Sequence, residues 1–219
     1  MPKHLFVCLF AVAALSLAPR EAAANEFNFD CITGNSATDC AILESQLTVS
    51  ITSTGSMVKF LFENSGPYAS SITDIYFDDP PPLLDPWSVN ISYPSGGIVA
   101  FTEGTESKCS PGSLPGGGNG FVTAYCADSD SPTQPNGVNP GESVMLSYTY
   151  TGGGDALTGV LAAINAGTFA IGIHVQGFAD GGSVSGIMPG QPVPEPASLL
   201  LMGGGAVAAA FARRRRKTA

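Results

Sequence analysis

Residues 58–63 read Val-Lys-Phe-Leu-Phe-Glu, and their alternation indicates the fold class. In this stretch Val58, Phe60 and Phe62 stand at every second position, and the charged Lys59 stands between two of them. Successive side chains of a β-strand point to opposite faces, so this spacing places three apolar side chains together on one face. We therefore predict a strand with one face in a hydrophobic core and the other toward water, as in antiparallel sheets.

Further strand signals recur along the chain, at residues 42–52, 72–77, 89–93, 98–101, 121–126, 144–150 and 169–175. Glycine and proline separate them, and the chain holds 27 Gly and 17 Pro among its 219 residues. Both residues favour turns and interrupt strands, so they mark where each strand ends. About eight short strands with such punctuation predict an all-β fold, an antiparallel β-sandwich.

One segment follows the helical period instead. Its apolar residues fall at positions i, i+3, i+4 and i+7, and they are Leu157, Val160, Leu161 and Ile164. Asp155 precedes them as a suitable N-cap, and Gly167 follows where helices commonly end. These residues predict one short helix, which crosses an end of the sandwich between two of its strands.

The first 24 residues have the three parts of a secretory signal peptide. Lys3 supplies a positive start, residues 5–18 are apolar, and residues 22–24 are three alanines, the small residues that signal peptidase requires. We predict cleavage by signal peptidase before Asn25. Such a leader directs the chain across the inner membrane.

The C-terminal end carries three segments in a fixed order. Pro194, Glu195 and Pro196 come first, and residues 197–212 form an uncharged run rich in Leu, Gly, Ala and Val. A basic tail follows, made of Arg213, Arg214, Arg215, Arg216 and Lys217. As a helix the apolar run is about 24 Å long, which spans a bilayer that thins locally while the arginines reach the headgroups. The basic tail then stays in the cytoplasm, and the body of the protein lies outside.

This order of Pro-Glu-Pro, apolar helix and arginine-rich tail resembles the C-terminal sorting signal of PEP-CTERM proteins. The resemblance implies that the membrane enzyme exosortase recognises Pro-Glu-Pro and removes the helix and tail during sorting to the cell envelope or exterior of a Gram-negative bacterium. It also implies a link with exopolysaccharide and biofilm, and it assigns no activity to the preceding residues. The expected organisation is a signal peptide at 1–24, an exported sandwich at 25–189, an extended linker at 190–196, and the transmembrane sorting helix with its tail at 197–219.

The exported part is strongly acidic. Between residues 25 and 193, Lys59 and Lys108 stand against 16 Asp and Glu residues, a formal charge of −14. Such a surface repels phosphates, which excludes a nucleic-acid partner. The acidic pairs at 78–79 and 128–130 come closest to a cation site, but neither continues into a calcium-binding loop. We therefore predict no metal and no cofactor, and we interpret both pairs as turns or strand ends.

Four cysteines remain after processing, Cys31, Cys40, Cys109 and Cys126. An even number in an exported chain indicates two disulfides. Four cysteines can form two disulfides in three different ways. The local one, Cys31–Cys40 with Cys109–Cys126, is favoured because each bond closes a loop rich in Gly, Ser, Asn and Pro.

His174 is the one histidine that remains after processing, and it shares a strand face with Gly172 and Gln176. A catalytic histidine needs a nucleophile beside it. The nearest serine sequence, at Ser183, lacks the spacing of a nucleophile elbow. This pattern favours a structural hydrogen bond over catalysis.

Trp87 is the sole tryptophan, and it lies in a proline-rich corner at residues 85–87. The favoured interpretation is a core side chain that plugs the end of the sandwich. The alternative is an exposed platform for a sugar ring, with Tyr68, Tyr93 and Tyr125 as helpers.

From the sequence we expect an exported, exosortase-processed protein of the envelope or extracellular matrix, with a non-enzymatic structural or adhesive role linked to exopolysaccharide. The alternative is a carbohydrate-binding module that recognises exopolysaccharide through Trp87, and a secreted hydrolase is the least favoured. The expected partners are signal peptidase and exosortase during processing and exopolysaccharide afterwards. The C-terminal helix anchors the protein in the inner membrane until it is cleaved.

Overall fold

The structure, a computed structural model, describes residues 25–104, 114 and 120–189. Strands dominate this part of the chain, and helices connect some of them. The elements are β1 (Asn25–Asn28), β2 (Asp30–Cys31), α1 (Ala37–Gln46), β3 (Leu47–Thr54), β4 (Met57–Asn64), β5 (Ser71–Asp78), β6 (Leu84–Ser92), β7 (Phe101–Gly104), β8 (Tyr125–Ser129), α2 (Thr133–Asn136), β9 (Ser143–Tyr150), α3 (Ala156–Ala166), β10 (Ala170–Gln176) and β11 (Val184–Ile187).

The strands form two sheets in which all the pairings are antiparallel. A five-stranded sheet has the order β1-β3-β4-β9-β6, and a six-stranded sheet has the order β2-β11-β10-β5-β8-β7. Several neighbours, such as β4 with β9 and β10 with β5, come from distant parts of the sequence. The predicted all-β sandwich is confirmed.

Aromatic side chains from both sheets meet in the core. Phe77 of β5 lies 5.3 Å, between ring centroids, from both Phe60 of β4 and Tyr148 of β9, with edge-to-face geometry. Phe77 also stacks on Tyr125 of β8 at 5.1 Å. Such pairs add about 0.5–1.5 kcal/mol each beyond the area they bury. Every second side chain of β4 is buried between the sheets, as the alternation in its sequence predicted.

Helix α3 begins and ends where its sequence predicted. The Asp155 carboxylate accepts a hydrogen bond from the Thr158 N–H at 2.8 Å, which satisfies one free donor of the first turn. Gly167 ends the helix with φ 69°, a left-handed conformation that glycine adopts without strain. Val160 and Ile164 are buried in the core.

Residues 42–46 are helical, and the prediction of a strand beginning at residue 42 was wrong. Helix α1 begins after Ser36, whose Oγ accepts a hydrogen bond from the Asp39 N–H at 3.3 Å. A disulfide between Cys31 and Cys40 ties its first turn to β2. The cap and the crosslink favour a helix over the local apolar signal. The described residues therefore contain α1 and the short α2 in addition to the one helix predicted.

Some strand boundaries also differ from the expectation. Strands β7 and β8 begin at Phe101 and Tyr125, a few residues later than their apolar signals suggested. Phe121 lies instead over the outer face of the six-stranded sheet, next to Leu114 and Tyr76. The short strands β1, β2 and β11 give too little alternation to be recognised in the sequence.

Among the described residues, none of the helices is both long enough and apolar enough to cross a bilayer. The predicted signal peptide, linker, transmembrane helix and basic tail lie outside the described residues.

Candidate functional site

Strand β6 forms one edge of the five-stranded sheet and contains a bulge. Leu84 and Asp85 pair with β9, and pairing resumes at Asn90. Pro86 lies in the interruption, and because proline has no backbone N–H it cannot donate to a sheet ladder. Edge strands tolerate such a residue at a bulge, so the local sequence places the interruption here.

Hydrogen bonds hold this bulge in one conformation. The Trp87 N–H donates to Asp85 Oδ1 at 3.0 Å, and the Ser88 hydroxyl donates to the Asp85 carbonyl at 2.7 Å. Ser88 Oγ also accepts from the Thr149 N–H at 2.7 Å, which replaces a lost link to β9. These bonds fix the backbone on both sides of Trp87, so its side chain projects from a defined position.

The Trp87 side chain is 87% exposed, and the favoured prediction that it plugs the core was wrong. Leu84 occupies the core at this end of β6, and the bulge separates Trp87 from the inward-facing alternation. Single exposed apolar side chains are common on proteins. An exposed indole on a backbone held by hydrogen bonds is better suited to ligand binding than a scattered apolar side chain, because it offers a flat apolar face and one N–H donor. Trp87 is therefore available to stack on a ring of a ligand.

The tyrosines proposed as helpers do not gather around Trp87. Tyr125 is 8% exposed and packs among the core aromatic rings. The Tyr93 hydroxyl accepts from the Phe101 N–H at 2.9 Å, so it links β6 to β7. Tyr93 follows Trp87 by six residues, at most about 20 Å of strand. Tyr68 is 59% exposed but lines a depression against α1. Of the three tyrosines only Tyr93, which is 38% exposed, follows the same edge strand, and its hydroxyl is bonded to β7.

A polar row crosses the outer face of the six-stranded sheet. The register places Ser185 opposite His174, His174 opposite Asp74, and Asp74 opposite Asp128. His174 Nδ1 lies 3.0 Å from Ser185 Oγ, and Ser185 is completely buried. Burial lowers the pKa of His174, which favours its neutral form. A serine without solvent access cannot attack a substrate, so this hydrogen bond is structural. Its partner is Ser185 rather than Ser183, because β11 pairs with β10 in this register.

Two carboxyl groups of this row, those of Asp74 and Asp128, stand opposite each other on neighbouring strands. Burial and the charge of Asp128 raise the pKa of Asp74 to about 6, although the Thr73 hydroxyl donates to Asp74 Oδ2 at 2.8 Å and opposes the rise. Asp74 therefore keeps its proton at mildly acidic pH. Sequence reasoning missed the pair because its members lie on different strands.

The acidic pairs considered from the sequence have structural roles. Asp79 is 2% exposed and accepts hydrogen bonds from the Leu83 and Leu84 N–H groups at 2.8 and 3.1 Å. Asp130 accepts from the Thr102 hydroxyl at 2.6 Å. Within the described ranges no group of three or more His, Cys, Asp or Glu side chains could hold a metal ion.

The cysteines follow the local pairing as far as they are described. Cys31 and Cys40 form a disulfide with a Cα–Cα distance of 5.3 Å, which confirms that bond. Cys126 is also disulfide-bonded. Cys109 lies outside the described residues, so its pairing with Cys126 stays a prediction.

A family model matches the C-terminal end of the chain. Residues 192–217 match the family model of the PEP-CTERM protein-sorting motif. The chain carries a PEP-CTERM sorting signal. Comparison with curated proteins and with solved structures finds no significant match. The match includes Pro194, Glu195 and Pro196 and the whole basic tail, all of which lie outside the described residues.

The PEP-CTERM signal identifies an exported protein that is targeted to exosortase and anchored transiently in the membrane before cleavage. The last strand ends at Ile187, seven residues before Pro194. Seven residues reach at most about 25 Å when fully extended. The sandwich is therefore held close to the cleavage motif. The signal-peptide boundary, the linker bounds and the stop-transfer role of the tail stay predictions.

Proposed function

We propose that this PEP-CTERM protein is a non-enzymatic component of the cell envelope or extracellular matrix that binds exopolysaccharide through Trp87. The observation that carries the proposal is the 87% exposure of Trp87, whose own N–H is bonded to Asp85 and whose neighbour Ser88 is bonded to Asp85 and Thr149. Because the backbone at Trp87 is already held by hydrogen bonds, ligand binding does not have to order it, which lowers the entropic cost of binding. The C–H faces of a sugar ring are apolar enough to stack on an indole, while the hydroxyls around the ring need polar partners.

Such partners lie on the same edge of the sheet. Asn90 is exposed and follows the bulge directly, and Asp85 is half-buried beside Trp87. Amide and carboxylate oxygens accept hydrogen bonds from sugar hydroxyls, and the amide also donates. Because the ring and these groups lie along one open edge strand, a long polymer can bind without entering a closed pocket.

The charge of the exported part restricts the kind of polysaccharide. A formal charge of −14 between residues 25 and 193 repels uronic-acid and sulfated polymers at low ionic strength. We therefore propose a neutral polysaccharide as the ligand.

One observation supports a non-enzymatic role. Ser185, the serine beside His174, is completely buried and so cannot reach a substrate. A secreted hydrolase remains the alternative with the least support. Release of reducing sugar by the purified protein, abolished in Asp74→Asn, would establish that alternative and overturn the non-enzymatic proposal.

Affinity electrophoresis in gels that contain neutral or anionic exopolysaccharide tests the binding. We expect the neutral polymer to retard the protein, and Trp87→Ala to weaken binding about tenfold or more, which corresponds to roughly 1.4 kcal/mol. Tyr68→Ala is the matched control, because Tyr68 is also exposed, at 59%, but lies at a different site. Equal retardation of the wild type and Trp87→Ala would refute a role for Trp87 and leave a structural component that does not bind sugar at this edge.

A further inference from the structure

A buried carboxylate oxygen without a partner lies where helix α1 meets the β10–β11 turn. Asp39, in the first turn of α1, is 3% exposed, and its Oδ2 makes no hydrogen bond. Nearly all buried polar atoms of folded proteins are hydrogen-bonded, so each exception requires an explanation. An acceptor-only oxygen in this position is suited to a donor or a cation that the chain itself does not supply.

A second carboxylate converges on the same point from the β10–β11 turn. The Cβ position of a side chain placed at Gly182 would lie 2.7 Å from Asp39 Oδ2 and 3.1 Å from Asp180 Oδ1. Glycine therefore leaves the space beside both oxygens free of a side chain. Asp180 is exposed, and its Oδ1 accepts a hydrogen bond from the Gly182 N–H at 2.9 Å. Since both oxygens lie within about 3 Å of that one position, they are no more than about 6 Å apart, and a cation between them would offset the repulsion of the two carboxylates.

Covalent and polar links hold this junction together. The Cys31–Cys40 disulfide ties the first turn of α1 to β2. Asn35 Nδ2 donates to the Ser183 carbonyl at 2.9 Å, which joins the loop before α1 to the β10–β11 turn. Lys59, on β4 of the other sheet, is the one Lys or Arg among the described residues. None of the described residues thus places a positive side chain against these carboxylates.

We propose that this junction binds one divalent cation of the hard, oxygen-preferring kind, with Ca²⁺ as the ion. Asp39 Oδ2 and the Asp180 carboxylate are the charged ligands, and amide, carbonyl and water oxygens complete the shell. Calcium sites of extracellular modules need few carboxylates and bind with Kd of about 10⁻⁴–10⁻³ M, which suits an exported protein. The sequence did not reveal this site because its two acids lie far apart along the chain. The proposal is independent of polysaccharide binding.

Thermal unfolding of the purified protein, with its disulfides intact and after treatment with EDTA, tests the site. Addition of CaCl₂ to about 10 mM should raise Tm by about 3–6 °C, while NaCl of equal ionic strength should not. Asp39→Asn should lose this rise and be at least as stable as the wild type in EDTA, because it no longer buries an uncompensated carboxylate. Asp180→Asn should also lose the rise, and it decides the test if Asp39→Asn does not fold.

Asp130→Asn is the matched control, since it removes one loop carboxylate away from the junction and should retain the full calcium response. Isothermal titration calorimetry with CaCl₂ should give one site in the wild type and none in Asp39→Asn. A wild-type Tm that calcium leaves unchanged would overturn the proposal. So would an undiminished calcium response in both Asp39→Asn and Asp180→Asn, because the ion would then bind elsewhere.

Discussion

Asp79 closes the proline-rich turn between β5 and β6, and its removal is the most informative test of how that end of the sandwich is held. Its carboxylate accepts from the Leu83 N–H at 2.8 Å and the Leu84 N–H at 3.1 Å. It also accepts from the Tyr125 hydroxyl at 3.1 Å, so it links the turn to β8 of the core. Proline-rich residues 80–82 cannot supply backbone N–H donors for a turn of their own. We therefore predict that Asp79→Ala destabilises the whole domain.

The expected loss follows from the groups left without a partner. The Leu84 N–H and the Tyr125 hydroxyl are in buried hydrogen bonds, and each costs about 1–3 kcal/mol when orphaned. The Leu83 N–H is partly buried, so water can replace its acceptor. Burial raises the pKa of Asp79, which shows that its ionised carboxyl is itself costly to bury and offsets part of the loss. We expect a decrease of about 2–4 kcal/mol in the free energy of unfolding.

Urea unfolding of the disulfide-intact protein, followed by far-UV circular dichroism, gives this free energy by linear extrapolation. Tyr125→Phe removes one of the three bonds and should cost about 0.5–1.5 kcal/mol. Asp130→Ala, which removes an exposed bond to Thr102, is the control and should change stability by less than about 0.5 kcal/mol. If Asp79→Ala is no more destabilising than this control, the carboxylate does not organise the turn and the reasoning is wrong.

Three further predictions concern other parts of the sandwich. The pKa of Asp74, raised to about 6, means that the native state holds its proton more tightly than the unfolded chain, so stability falls as pH rises from about 4 to above 6. Asp74→Asn should therefore stabilise the protein by about 1–3 kcal/mol at pH 7 in urea unfolding and by little at pH 4; an equal effect at both values would contradict this. Replacing Cys31 and Cys40 together by serine should cost about 2–3 kcal/mol, because the short loop gains freedom when unfolded, and an unchanged urea midpoint would argue against it. Phe77→Ala should cost about 3–5 kcal/mol by opening a core cavity, whereas Trp87→Ala should leave Tm nearly unchanged; a large loss of Tm in the latter would show that the indole is packed.

The strands with strong alternation could be read from the sequence because the signal is local. The side chains of Val58, Phe60 and Phe62 are all buried, since every second side chain of a strand faces the same way. The ends of α3 were equally predictable, because Asp155 and Gly167 act within one turn of the helix. Helix α1 could not be predicted in the same way. The residues that define its start lie before its apolar run, and one of them acts through a disulfide.

In the candidate site, too, the local sequence indicated some features, while others depend on how the strands pair. The corner at residues 85–87 was recognised as unusual, but the direction of Trp87 depends on where β6 leaves and rejoins β9. The hydrogen bond from His174 goes to Ser185 because of the β10–β11 register, which no pattern near either residue indicates.

From the sequence, the strongly alternating strands of the sandwich and the PEP-CTERM sorting signal could be recognised, because alternation and an ordered terminal signal both lie in neighbouring residues. Which side chains meet, among them Asp79 with Tyr125 and His174 with Ser185, became apparent only in the folded protein. The physical reason is that strand pairing joins residues far apart in the chain. A shift of one position in that pairing moves every side chain of the strand to the other face.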